Sequence, residues 1–172
     1  MISILAMEKY VASLTTLSTP HYGSKLSSKL MSMPKWCAKL IAFFVNVFYK
    51  IFKDENPDIL KVGEQLTTSS MEEFNRKVLN SSIVYYQSYS ASLDNNKSFL
   101  MIIPHKITKY LEKCDTDGIV SVTSSQWGEY KGNIDKNFDH AKMVGAYGSK
   151  KSLNEVSSFY LNIIKDLKEK EM

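Results

Sequence analysis

The feature that most constrains the fold is a short apolar run that stops abruptly. Residues 11–17 are apolar and rich in threonine, which is typical of a buried β-strand. Pro20 and Gly23 follow directly and predict a loop at the carboxyl end of this strand. In open α/β sheets, ligands collect outside the carboxyl ends of the strands. We therefore expect this loop to form one wall of a site.

Three later segments complete the outline of an α/β fold. Residues 83–89 are β-branched and aromatic, which predicts a second strand. Ser69 and Glu72 have the spacing of a capping box and predict that a helix begins there; Ser152 and Glu155 predict the same for a C-terminal helix. Four glycines between 128 and 148 predict a region of loops around His140.

Length and composition exclude several classes of protein. A chain of 172 residues with 44% hydrophobic residues predicts about one folded domain and excludes wholesale disorder. The net charge of +4 comes without a run of Lys and Arg, so we expect no nucleic-acid partner. Cys37 and Cys114 are too few for a disulfide framework. The first ten residues lack a basic start and make a poor secretion signal.

Residues 34–53 form the most apolar stretch of the chain. A narrow seam of lysines along the predicted helix argues against a transmembrane span. Two interpretations remain open: a helix buried on most sides, or an apolar lid that meets lipid. In the second, the lid and substrate side of the helix includes Trp36, Leu40, Phe43, Phe44 and Val47.

The sequence around each of the three histidines favours a structural role for two of them and a catalytic role for the third. We expect His105 to be a surface or structural residue, and His21 to tie its loop by a structural hydrogen bond. His140 follows Asp117 by 23 residues, and Asp117 directly precedes Gly118. In one order of the Ser–His–Asp triad, Ser comes first, then Asp or Glu, then His. Asp117 and His140 fit its second and third places.

Several motifs together resemble bacterial triacylglycerol lipases of the α/β-hydrolase fold. Residues 11–24, ending in Thr-Pro-His-Tyr-Gly-Ser, resemble the strand and loop that follow the nucleophile in those lipases. Residues 66–75 and 84–89 are similar to the segments between cap and catalytic acid. Asp115-Thr-Asp-Gly-Ile-Val-Ser resembles the segment of the acid, and Asp139-His140 falls where the catalytic His does. The resemblance runs in order from the start of the chain to about Gly148.

The resemblance implies a fold, a substrate and roles for particular residues. Residues 1–172 would be the C-terminal portion of an α/β-hydrolase domain with an incomplete parallel sheet, and residues 25–66 a helical cap or lid insertion. Asp117 would be the triad acid and His140 the general base. Asp115 competes with Asp117, but the family's acid directly precedes Gly. The partners would be a lipid or ester substrate and the lipid–water interface, and the family implies secretion.

The serine nucleophile expected of such a hydrolase is missing. None of the seven glycines brackets a serine in the spacing G-x-S-x-G. We expect the nucleophile and the oxyanion hole to lie upstream, in an N-terminal half that would then be a partner of this chain. The chain alone is predicted to be inactive. The alternative is a non-catalytic relic, or a fragment that binds a lipid surface or a partner.

We expect no cofactor. Many lipases of this kind place a calcium-binding Asp two residues after the catalytic His. Here that position is Lys142, whose positive charge would repel Ca²⁺.

Overall fold

A computed structural model describes residues 1–51, 55–94, 101–134 and 138–170. Within them, the side chains of Phe44 and of residues 47–51 are not described. A 3₁₀ turn, Glu8–Tyr10, precedes the regular elements. These are β1 (Ser13–Leu17), α1 (Lys25–Met31), α2 (Lys35–Ile51), α3 (Ile59–Gln65), α4 (Thr68–Lys77), β2 (Tyr85–Ser90), α5 (Ile102–Glu112), β3 (Glu129–Asn133), a second 3₁₀ turn (Lys142–Val144) and α6 (Lys150–Glu169).

The three strands form a parallel sheet in the order β1-β2-β3. Parallel neighbours need long crossover connections, and the helices supply them: α1 to α4 lie between β1 and β2, and α5 lies between β2 and β3. Gln87 in the central strand pairs with Thr15 and Glu129, and its amide donates to the Thr15 hydroxyl at 2.9 Å. Within the described residues, β1 pairs with β2 alone and so forms one edge of the sheet.

The apolar core is small and lies where the carboxyl end of the sheet meets α6. Its buried cluster is Ala91, Phe138, Met143 and Val156, with Leu17 and Ile134 packed against it. The most deeply buried side chains of the described residues are polar, and most of them lie in or after β2. Buried polar groups require hydrogen-bond partners, so the loops at this end of the sheet are held mainly by hydrogen bonds.

Several sequence predictions of local structure were wrong in detail. The α4 helix is capped by Thr67 rather than Ser69, since the Thr67 hydroxyl accepts from the Ser70 N–H at 3.2 Å. Similarly, Ser149 rather than Ser152 caps α6. Strand β3 lies in the region predicted as loops. Helix α5 lies where no clear pattern was found.

Helix α2 agrees with the predicted helix over residues 35–51, and residues 52–54 lie outside the described residues. It buries Ala38 and Ala42, whereas Trp36, Leu40 and Phe43 are exposed. Phe44 and Val47 lie in the helix, but their side chains are outside the described part of the structure. Among the described residues, no helix combines the length and the apolar character needed to cross a membrane.

Candidate active site

The structure brings Asp117 and His140 together. Asp117 Oδ2 lies 2.8 Å from His140 Nδ1. The Asp117 carboxylate is fully buried, whereas the His140 side chain remains 40% exposed. The His140 main-chain N–H also donates to the Asp117 carbonyl at 3.1 Å. The two residues are thus connected through backbone and side chain, and the imidazole keeps access to solvent.

A tight turn fixes the Asp117 carboxylate. Its Oδ1 accepts hydrogen bonds from the main-chain N–H groups of Ile119 at 3.0 Å and Val120 at 2.8 Å. Gly118 has a φ of +111°, which strongly favours glycine and explains why the Asp directly precedes a glycine. The buried Thr116 hydroxyl closes the turn, since it accepts from the Gly118 N–H at 3.1 Å and donates to the Val120 carbonyl at 2.9 Å.

The competing carboxylate, Asp115, has different surroundings. Its side chain is 58% exposed and lies 3.6 Å from the ammonium group of Lys109. An exposed ion pair of this kind contributes little to order. The geometry therefore favours Asp117 over Asp115 as the carboxylate that orients His140.

The charge balance at His140 favours its protonated form. Burial opposes a charge on the imidazole, but the hydrogen bond with Asp117 and the negative charges of Asp117 and Asp139 outweigh it. Together they raise the pKa of His140 above its ordinary value. A carboxylate that stabilises an imidazolium and holds the ring by Nδ1 leaves Nε2 as the nitrogen that can take up a proton.

The loop after β1 packs against the loop of the acid. His21 stacks on Trp127 with 4.9 Å between ring centroids, and its Nε2 lies 2.9 Å from the Thr16 hydroxyl. The Ser124 hydroxyl donates to the Gly23 carbonyl, which joins the two loops directly. Burial lowers the pKa of His21 to about 4, so this ring is neutral near pH 7. His21 therefore has the structural hydrogen bond predicted for it.

His105 is not a surface residue, so that part of its prediction was wrong. It lies buried on α5 near Thr116, and burial lowers its pKa. No helix was predicted around His105, so the buried face of α5 was missed. Cys37 and Cys114 are both free thiols.

The loop of His140 contains a buried acid that the sequence did not single out for the site. Asp139 Oδ1 accepts from the N–H groups of Ala141 at 3.0 Å and Lys142 at 2.8 Å. Its Oδ2 accepts from the Tyr147 hydroxyl. The only sequence signal for Asp139 is its position beside His140, because the partners that define its role come from folding of the loop.

Calcium does not fit this loop. The Asp139 carboxylate is already occupied by two N–H groups and a hydroxyl. The ammonium group of Lys142 lies 5.7 Å from the centre of the Tyr147 ring, so a positive charge stands beside the same residues. Within the described ranges, no three His, Cys, Asp or Glu side chains gather as a metal site would require.

A parallel sheet whose connections bring a buried Asp against a later His has the arrangement of the α/β-hydrolase fold, of which the described residues form three strands. The comparisons with known proteins agree. The chain is 34% identical over 143 residues to Triacylglycerol lipase 2 of Saccharomyces cerevisiae, a match that spans 78% of this chain and 37% of that protein. No family model matches the chain.

Solved structures show the same fold. The Staphylococcus hyicus lipase superposes with a TM-score of 0.64 at 18% identity, over 95% of this chain and 62% of that one. A metagenomic carboxyl esterase gives a TM-score of 0.62 at 17% identity, over 94% of this chain and 51% of that one. A Bacillus licheniformis lipase gives 0.51 at 20% identity, over 81% and 51% of the two chains. The resemblance to lipases is confirmed, and the chain spans only part of these relatives.

Proposed function

We propose that this chain supplies the acid and the base of a serine ester-hydrolase site whose substrate is a lipid ester. The observation that carries the proposal is the 2.8 Å contact between a fully buried Asp117 and a half-exposed His140. The lipase relatives support the substrate class.

In this mechanism Asp117 orients the His140 ring and stabilises the imidazolium. His140 Nε2 takes the proton of a serine hydroxyl as that oxygen attacks the ester carbonyl, and then returns the proton to the leaving alcohol. The loops around Thr116 and Asp139 hold the Asp117 carboxylate and the His140 ring in fixed positions, so little reorganisation accompanies proton transfer.

The nucleophile and the oxyanion donors would come from polypeptide beyond these 172 residues. No G-x-S-x-G occurs in the chain. Among the described residues β1 has a partner strand on one side only, and its other edge is where a further parallel strand of the same sheet would add. Without that segment, covalent acyl transfer cannot start, and we expect the chain alone to be inactive.

Residues 25–66 would serve as a cap over the acyl-binding side of the site. The support comes from α2, where Trp36 is 70% exposed and Phe43 is 61% exposed. Apolar side chains on the outer face of an amphipathic helix bind the boundary between lipid head groups and acyl chains. The same observation favours the alternative function, a non-catalytic fragment that binds a lipid surface through α2.

The DNA upstream of Met1 separates the two functions. An elbow of the type G-H-S-x-G within about 15 codons, in frame or frameshifted, would support the hydrolase and supply the longer protein to assay. Its absence would favour the lipid-binding alternative. At the bench, a fluorophosphonate probe should label the longer protein and leave the 172-residue chain unlabelled. Labelling of the chain itself would contradict the proposal.

A further inference from the structure

The loop that carries His140 is closed by main-chain hydrogen bonds and by a contact between two of its own side chains. Gly145 adopts a left-handed conformation with φ of +67°, and its N–H donates to the Lys142 carbonyl at 2.9 Å. The Ala146 N–H donates to the Ala141 carbonyl at 3.1 Å. These bonds turn the chain back, so that Tyr147 reaches the acid eight residues before it, Asp139.

The acid at the centre of this loop has three donors. It is fully buried, with two N–H groups on one oxygen and the Tyr147 hydroxyl on the other. A buried carboxylate is costly unless its oxygens are paired, so these donors are what allow it to lie beside His140. Lys142 adds a positive charge 5.7 Å from the centre of the Tyr147 ring.

We propose that Asp139, Tyr147 and Lys142 form a metal-free brace that positions His140, in the loop where the resemblance to lipases would place a calcium site. The proposal deepens the function proposed above and rests on it for the role of His140. Asp139 is the positioning residue, because it is the direct chain neighbour of His140 and holds the next two N–H groups. Tyr147 restrains Asp139, and Lys142 stabilises the ring of Tyr147.

Two substitutions separate the geometry of the brace from its charge. Asp139→Asn keeps an oxygen for the two N–H groups and removes the negative charge. Tyr147→Phe keeps the charge and removes one donor from the buried carboxylate. Tyr160→Phe is the matched control, because its hydroxyl donates to the Met143 carbonyl in the same loop, at 3.2 Å, and not to the Asp139 carboxylate.

The experiment is NMR on the full chain, with a pH titration of the His140 imidazole and hydrogen exchange at the Ala141 and Lys142 amides. Asp139→Asn should lower the pKa of His140, in line with the loss of a neighbouring negative charge. Tyr147→Phe should speed exchange at both amides by about tenfold, the equivalent of one hydrogen bond to a charged group. Tyr160→Phe should change neither quantity at His140, Ala141 or Lys142.

The metal arm of the test repeats these measurements with millimolar calcium and with a chelator. We expect the melting temperature and the His140 titration of the unmodified chain to be the same in both. A rise in melting temperature with calcium would overturn the proposal, as would unchanged amide exchange in Tyr147→Phe. Neither readout uses ester hydrolysis. An intact brace in a longer protein without esterase activity would therefore refute only the proposed function.

Discussion

The loops that carry Asp117 and His140 differ from α2 and β1 in where their side chains and backbone groups find partners. In the loops, buried polar side chains are bonded to nearby backbone, as Thr116 and Asp139 both are. Helix α2 instead presents large apolar side chains to solvent, and β1 has a partner on one side only among the described residues. The hydrogen bonds that fix the first region therefore lie within the chain. The second region, as far as it is described, leaves apolar side chains and one strand edge exposed.

The largest effect is expected from substitution of Asp117 or His140, the two residues at the centre of the first region. In the longer protein carrying a serine elbow, His140→Ala or Asp117→Asn should each lower kcat for ester hydrolysis by about 10⁴-fold, because the serine loses its base or the base loses its orientation. Asp115→Asn is the control and should leave the rate within a few-fold of the parent, since Asp115 is exposed and paired with Lys109. An active His140→Ala variant would contradict the assignment.

The next effect concerns the stability of the acid turn. Thr116→Val should lower the free energy of unfolding by about 1–3 kcal/mol, because it strips hydrogen bonds from two buried backbone groups. Urea unfolding of the chain measures this loss. Thr123→Val is the comparison in the same loop: its exposed hydroxyl bonds the Ser121 and Cys114 side chains and no buried backbone group, so the loss should be smaller, about 0.5 kcal/mol. Equal losses would mean that Thr116 does not hold the turn.

The exposed region is tested by binding to lipid. Trp36→Ala should weaken binding of the chain to phospholipid vesicles by about tenfold. The substitution removes one large, exposed apolar side chain that would be buried in the lipid on binding. Tyr110→Ala is matched in size and lies on α5, where the ring is 82% exposed. It should leave vesicle binding unchanged. If both variants bind equally weakly, α2 is not the lipid-facing surface.

The last prediction is a pH dependence at His21, which lies where the two loops meet. Its pKa is lowered from 6.5 to about 4 by burial, so the folded state binds this proton less readily than the unfolded state does. The stability it contributes is complete above pH 6.5 and is lost as pH falls towards 4. His21→Gln should flatten the stability profile in that window, as measured by urea unfolding. A profile that is unchanged in the variant would contradict the burial of a neutral ring.

Local patterns were sufficient for the elements with a strong hydrophobic period. Asp117 and His140 were predicted from the resemblance of several motifs to lipases. The Asp-Gly pair contributed to that resemblance, because a turn that needs a positive φ leaves a glycine in the sequence. Local patterns failed for β3, whose glycines and charges resemble a loop and whose strand conformation comes from pairing with β2. They also failed for the caps of α4 and α6, where serines and threonines follow one another and several have suitable spacing.

The sequence by itself predicted the class of the fold, Asp117 as the acid and His140 as the base. It also established that no G-x-S-x-G occurs and that Lys142 stands two residues after His140. Each of these depends on residue identity at one place in the chain. Only the tertiary structure decided that Asp115 is exposed beside Lys109, that His105 is buried, and that Tyr147 and Asp139 are partners. Burial and hydrogen bonding depend on which segments the fold brings together, and no local pattern carries that information.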